Sequence, residues 1–410
     1  MNFEFFIVKR LIGGKDHKSS ISAPIIKIAI TAIAIGVVMM LVSFATGLGL
    51  KEKIREKIAA FNGHVNISNY DNNSSQVSLT PVTKDQDFYP EFNSVAGVEH
   101  VQAVATKFGI IRTATDFEGV VVKGVGSDYD WNYFEEFLVK GNLPNFNEKL
   151  NDEVLISAYL ANRLRLNVGD KVPTYFLRES SERPLTRGFV ITGIYDSGFR
   201  EFDELYVIAD IRHIQRLNRW EPNEVGNFEV FLEDFEEIDQ KGQEIYENTG
   251  SFLDTQTITQ KYYSIFEWLA LFDFNIALII GIMILVAGIN MITALLVLIL
   301  ERTQMIGVLK ALGGNDWSIR KIFLYNAGYL ILKGLFWGNL IGLGILLVQK
   351  YFKLVPLDPA TYYVTEVPVY IHWDYIFAVN IGTLILCMLM LIIPSFIIAK
   401  ISPAKAIKFE

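Results

Sequence analysis

Five histidines are spread along the chain, at His17, His64, His100, His213 and His372. No two fall at the spacing that gathers ligands around zinc. A GxxxxGK[ST] run, which would cradle a nucleotide's phosphates in backbone N–H groups, does not occur. Gly124 and Gly126 give the opening of a dinucleotide fingerprint whose remainder is missing. Neither a GxSxG elbow nor an HExxH pair occurs. The acidic run Glu233, Asp234, Glu236 and Glu237 has the pattern of a solvated face. The expectation is no catalytic residue, no cofactor-binding residue and no metal site in this polypeptide.

The segment that does carry a pattern is Glu301-Arg-Thr-Gln-Met-Ile-Gly-Val-Leu-Lys-Ala-Leu-Gly-Gly, followed by Asn315 and Asp316. Ile306, Leu309 and Leu312 fall on one helical face. Gly313 and Gly314 stop the helix, because glycine accepts a left-handed cap. Asn315 or Asp316 then caps the next helix. A short helix with an apolar face suits a partner's groove; a connector lying on a bilayer fits the same pattern.

Four nearly uncharged stretches flank that segment and must position it: 28–50, 272–300, 322–349 and 375–399. About 20 apolar residues cross a bilayer. With 51% hydrophobic residues overall, a soluble globule and a disordered chain are both excluded. The net charge of -8, with no basic run, argues against nucleic acid as a partner. The first stretch is longer than a leader's apolar core and reads as a retained helix. Segments 1–27, 301–321 and 400–410 together hold 12 Lys and Arg against 5 Asp and Glu. That places all three, and both termini, in the cytoplasm. Residues 51–265 fall on the far side, and 350–374 form a short outer loop. Phe3, Phe6, Ile7 and Leu11 wind around an N-terminal helix that suits the inner interface. Gly334, Gly338 and Gly342 recur every four residues and make a ridge for close helix approach. Lys333, one residue away, lies about 16 Å along its helix; it faces protein, a wet cavity or a thinned bilayer. Pro394 predicts a kink near the end of the fourth span.

The 51–265 insertion reads as an α+β domain. Strands are expected at 64–68, 101–105, 109–113, 120–125, 170–177, 189–194 and 227–232. Helices are expected at 157–166, 210–217 and 235–247, with Asp210 and Asp234 as caps. Tyr70–Gln76 reads as a polar loop. Two helical segments, 51–61 and 255–272, continue the flanking spans. They form either a stalk that joins span and domain or an amphipathic segment on the membrane surface. The expected fold is therefore four transmembrane helices with a large α+β extracytoplasmic domain inserted between the first two.

At this point the sequence resembles a known family. The 301–314 run looks like the coupling segment E-R-x-x-E-I-G-x-L-R-A-L-G-A of MacB/FtsX-type ABC transporter permeases. Ser402-Pro-Ala-Lys-Ala-Ile-Lys-Phe-Glu410 resembles that family's C-terminus. Ile33-Ala-Ile-Gly-Val37, Ser43, Gly47 and Gly63-His-Val-Asn-Ile67 resemble the LolC/LolE lipoprotein-releasing permeases within it. So do Leu354-Val-Pro-Leu-Asp-Pro359 and, in the insertion, Gly169-Asp170 and Gly193-Ile194. Met305 departs from the pattern, standing where the family often has an acid.

The resemblance implies a permease subunit that binds no cofactor itself and pairs with a second permease chain. Two copies of an ABC ATPase carry the ATP and Mg. The residues it implies for ATPase coupling are Glu301, Arg302, Ile306, Gly307, Leu309, Lys310, Leu312 and Gly313. It further implies an inner-membrane location, lipoprotein cargo taken from the membrane lipids, and a periplasmic carrier. MacB-like efflux and FtsX-like control of cell-wall hydrolases are the alternatives, with a non-ABC receptor in a different class. A carrier-binding loop is expected by position at 178–188, with Arg178, Arg183, Pro184 and Arg187; a solvated hairpin fits those residues equally.

Overall fold

The computed structural model describes residues 3–13, 22–72, 75–146, 149–178 and 181–402. Lys15, Lys18, Asn73, Ser74 and the C-terminal run from residue 403 lie outside the described residues. The chain divides into two compact units: 1–51 with 268–356 and 366–410, and 52–267 with 357–365.

The first unit is helical. It holds α1 (Phe3–Gly13) and most of α2 (Ser22–Asn62). Four elements of the second unit carry the next helix numbers: α3 (Asn132–Glu135), α4 (Ala158–Leu164), α5 (Arg200–Asp203) and α6 (Ile211–Asn218). Two more follow there, α7 (Ile238–Glu247) and α8 (Ile258–Lys261). The first unit then resumes with α9 (Tyr263–Glu301) from Trp268 on, α10 (Thr303–Ala311) and α11 (Asp316–Phe352). A single turn of the second unit, α12 (Pro359–Tyr362), precedes α13 (Trp373–Ser395) and α14 (Ile397–Lys400).

Four of these helices are long and apolar enough to cross a membrane, at 24–62, 263–301, 316–352 and 373–400. The 41 residues of α2 rise about 60 Å, roughly twice the hydrocarbon thickness of a bilayer. Pro24 falls in its first turn, where no N–H is needed, and no later proline interrupts it. Its apolar stripe, with Ile33, Val37, Met40 and Leu41, is buried in the core of the helical unit. Of α1, Val8 is buried in that core and Ile7 packs against it, while Phe5 and Phe6 stay exposed. Their exposure beside a buried stripe is the pattern of an interfacial helix. The fourth span breaks where proline predicts: α13 ends at Ser395, and Phe396 N donates to Ile393 O (3.1 Å) in a tightened turn.

The second unit is built on a ten-stranded mixed sheet. Its strands are β1 (Val65–Asn69), β3 (Val98–Arg112), β4 (Phe117–Val125), β5 (Leu138–Gly141), β6 (Glu153–Ser157) and β7 (Lys171–Arg178). They continue with β8 (Ser181–Tyr195), β9 (Tyr206–Asp210), β11 (Asn227–Leu232) and β12 (Leu253–Thr257). The order is β12-β1-β11-β3-β4-β9-β6-β8-β5, and β7 pairs with β3 and β8. The short pair β2 (Val82–Thr83) and β10 (Glu224–Val225) stands apart. The expected caps hold: Asp210 accepts from Arg212 N at the start of α6, and Asp234 from Glu236 N.

Three expectations are corrected. The strands read at 101–105 and 109–113 are one strand, β3, continuous through Lys107. The helix read at 235–247 opens as a 3-10 turn at Phe235–Glu237 before α7 begins. The helix read at 255–272 begins later. Leu253–Thr257 pairs with β1 as an edge strand, α8 follows, and a non-helical Tyr262 separates it from α9. Only the first of the two expected stalks is an unbroken rod.

Candidate functional site

The helix of the patterned segment is α10. Gly313 adopts φ +90° just past its end, and Gly314 N donates to Leu309 O (2.9 Å). Asn315 then caps α11, its Oδ1 accepting from Trp317 N (3.1 Å). The start and stop signals of the sequence are therefore realised. The apolar face that periodicity puts on this helix is not left open. Ile306 is fully buried in the core of the chain's own helical unit, Gly307 is buried, and Leu309 and Met305 pack against that core. Leu312 alone of the expected three is open, 80% exposed. Val308 and Trp317 are exposed with it. Glu301 and Gly313 are also exposed, and Arg302 is half-buried. Met305 is thus explained: an acid there would meet apolar packing.

Lys310 serves this chain. Its Nζ pairs with Asp316 (2.8 Å) and donates to the carbonyls of Ala399 (3.2 Å) and Ile401 (3.0 Å). Arg320 lies 3.6 Å over the Phe396 ring, and its Nε donates to Ser395 Oγ (3.1 Å). Lys310 therefore ties α10, and Arg320 the start of α11, to the end of the fourth span. Sequence reasoning missed Arg320 and Trp317, although a basic and an aromatic residue three apart on one helix face were legible.

Gly334, Gly338 and Gly342 lie against α2. A Cβ on Gly334 would stand 2.6 Å from Ile33, one on Gly338 2.6 Å from Val37 and 2.9 Å from Ala34 O, and one on Gly342 3.1 Å from Leu41. All three face α2, so the first and third spans touch backbone to backbone. Asn339 and Asn380 exchange amide hydrogen bonds between α11 and α13 (2.6 and 3.0 Å), a polar link of the kind that holds helices together in lipid. Lys333 is exposed, its ammonium 4.5 Å over the Tyr329 ring.

The expected 178–188 loop is largely strand. Tyr175 pairs with Thr186 and Thr174 with Arg187 in the β7–β8 hairpin. Residues 179–180 and the side chains of Arg178 and Arg183 lie outside what is described. Pro184 is exposed and Arg187 half-buried.

At the end of α2, Gly63 takes φ +65°. A Cβ there would stand 2.8 Å from the Glu229 Cβ on β11, so the turn from helix to sheet needs glycine. His64 Nδ1 accepts from Leu232 N (2.9 Å), which fixes its proton on Nε2. Burial, with Arg55 nearby, pushes its pKa down to about 4. Beside this turn a cleft of about 840 Å³ opens in the α+β unit, walled by Phe61, Phe202 and Tyr262. Its floor is a polar sheet face on which Gln256, Asn66 and Glu229 stand in register.

Residues 28–246 match a family model described as the MacB-like periplasmic core domain, and residues 277–403 one described as the FtsX-like permease C-terminal. The chain is 24% identical over 397 residues to the lipoprotein-releasing system transmembrane protein LolC of Haemophilus influenzae, covering 93% of both chains. It is 21% identical over 435 residues to LolE of the same organism, covering 99% of both. A solved extracellular domain of the noncanonic ABC-type transporter YknZ aligns with 40% of this chain and 83% of its own, at 17% identity and a TM-score of 0.29. That likeness is too loose to add to the fold.

Proposed function

The chain belongs to the permease family that carries a MacB-like periplasmic core domain, and from that premise we propose that it is the membrane subunit of an ATP-driven lipoprotein-releasing complex. Two copies of a separate ABC ATPase hold ATP and Mg on the cytoplasmic side, where the 301–321 segment and both termini lie. A second permease chain, identical or related, completes the membrane part. The α+β unit stands on the periplasmic side of the bacterial inner membrane. It moves when the ATPases close, and lipidated cargo passes from the membrane to a periplasmic carrier. The names of the LolC and LolE relatives supply the cargo class.

The observation that supports ATPase coupling is the α10 segment. It offers Val308, Leu312 and Trp317 to a partner while Lys310 and Arg320 hold it to the fourth span. A partner that displaces this surface displaces two spans together. Leu312→Glu places a charge on the exposed contact and is expected to abolish co-purification of the ATPase while leaving the permease folded. Ile306→Glu buries an unpaired charge and is expected to unfold the helical unit instead. Purification in mild detergent, with mass spectrometry of the bound subunits and a melting curve for each variant, separates the two effects. A Leu312→Glu chain that retains its ATPase at wild-type yield would remove this contact from the account.

A further inference from the structure

The last turn of α2 ends deep inside the α+β unit: Ile58 is 0% and Phe61 2% exposed. A helix C-terminus leaves its final carbonyls without intrahelical partners and carries partial negative charge. Here three of the last four are met. Ala59 O accepts from Gly63 N (2.7 Å), Ala60 O from Tyr129 Oη (3.3 Å), and Phe61 O from Lys123 Nζ (2.8 Å). Lys123 stands on β4 and its side chain is 1% exposed. Its ammonium also pairs with Glu229 on β11, at 2.7 Å. Gln102, on the strand between them, donates to the same carboxylate (2.8 Å). One buried cation therefore joins the helix end to three adjacent strands.

Asn62 makes a second junction. Its Oδ1 accepts from Lys261 Nζ (2.8 Å) and Tyr262 Oη (3.1 Å), at the point where the chain turns into α9. Its Nδ2 donates back to Ile58 O (3.1 Å). The end of α2 and the approach to α9 are thus held at one place.

Stability does not require such a device. A buried ion pair is expensive to desolvate, and apolar side chains of similar volume often replace one without loss. Apolar packing lacks direction, however. Carbonyls at a helix end point along its axis, so the Lys123–Phe61 bond opposes axial withdrawal of the helix. We propose that Lys123, Glu229 and Asn62 are positioning residues forming a transmission clamp, which makes the sheet follow any shift or turn of the first membrane helix. The clamp rests on the ATP-driven reading above only for the source of that movement.

The test uses the full complex in lipid nanodiscs. Spin labels go on Glu56→Cys in α2 and Lys171→Cys in β7, both exposed, with the buried native Cys387 replaced by alanine. In the otherwise wild-type chain the label distance is expected to be a single narrow peak that ATP does not widen. Lys123→Met/Glu229→Leu removes both charges together, so neither is left buried alone. That variant is expected to keep its fold and ATP hydrolysis, to broaden the peak, and to release about tenfold less lipoprotein per ATP. A narrow peak and wild-type release in the double variant would overturn the clamp. Should it fail to fold, Lys123→Met/Glu229→Gln also removes both charges and keeps an acceptor for Gln102; its peak is expected to broaden less, and an unchanged peak overturns the clamp equally. A wild-type complex that releases nothing under ATP sinks the transport reading, while the label widths still decide the clamp.

Discussion

His64 and Asp203 pull the acid stability of the α+β unit in opposite directions. His64 has its pKa pushed down to about 4 by burial, so the folded state binds fewer protons than the unfolded one, whose ordinary value is 6.5. Its contribution is complete above 6.5 and is lost as pH falls towards 4. Asp203, buried and accepting from Ser197 N and Oγ, has its pKa pushed up to about 6 against an ordinary 3.8, with burial outweighing those hydrogen bonds. Its folded form holds the extra proton, so its contribution grows as pH falls from 6 to 3.8. Between pH 6 and 4 the two slopes oppose each other, each at most about 1.4 kcal/mol per pH unit. Relative to wild type, Asp203→Asn is expected to lose stability progressively as the pH drops through that window. His64→Gln is expected to gain it. Melting of the detergent-solubilised chain at half-unit pH steps reads both; parallel curves for all three proteins would contradict the assignment. At this scale the sequence was legible where a residue acts on the backbone next to it, as with Gly313, Asn315 and Asp210. It was not legible where the answer depends on what covers the residue. Periodicity placed Ile306, Leu309 and Leu312 on one face, yet the chain's own core takes the first two and only Leu312 is open.

Among the elements, hydropathy alone located the four spans, because a bilayer demands length and apolarity that few soluble helices have. The glycine ridge was also readable, since a spacing of four puts Gly334, Gly338 and Gly342 on one helix face. Its occupant, α2, was not readable, because small residues say that something approaches and not what. The signs of two substitutions follow from the contacts. Gly338→Ala forces a methyl group to 2.6 Å from Val37 and is expected to cost about 1–3 kcal/mol through overpacking. Gly344 has nothing within 4 Å of an added Cβ, and Gly344→Ala is expected to gain about 0.5–1 kcal/mol from helix propensity. Thermal midpoints of the two purified variants decide this, and shifts of the same sign would count against the ridge. The elements misread are those where pairing overrides local preference. Leu253-Asp-Thr-Gln-Thr257 has no apolar alternation, yet its place beside β1 makes it a strand. β9, buried at every position, lacks the alternation that a half-buried strand displays.

For the molecule as a whole, the family relationship supplies the two ends of the account and α2 the means. Its apolar stripe lies in the helical unit, and its last turn is clamped into the sheet of the other unit. The order of parts was legible because charge and hydropathy separate sharply along the chain. The asymmetry between the two connections was not: α2 is unbroken from Ser22 to Asn62, whereas α9 is preceded by the turn at Tyr262. The central claim is that the helix carries force because it is continuous. The most direct measurement inserts Gly-Ser-Gly-Ser between Lys51 and Glu52, a flexible break in an otherwise rigid rod, and compares ATP hydrolysis with lipoprotein release in reconstituted complexes. The account predicts that hydrolysis persists while release per ATP falls by about tenfold or more, equivalent to losing about 1.4 kcal/mol of coupled transition-state stabilisation. Release at the wild-type rate through the interrupted helix would contradict it.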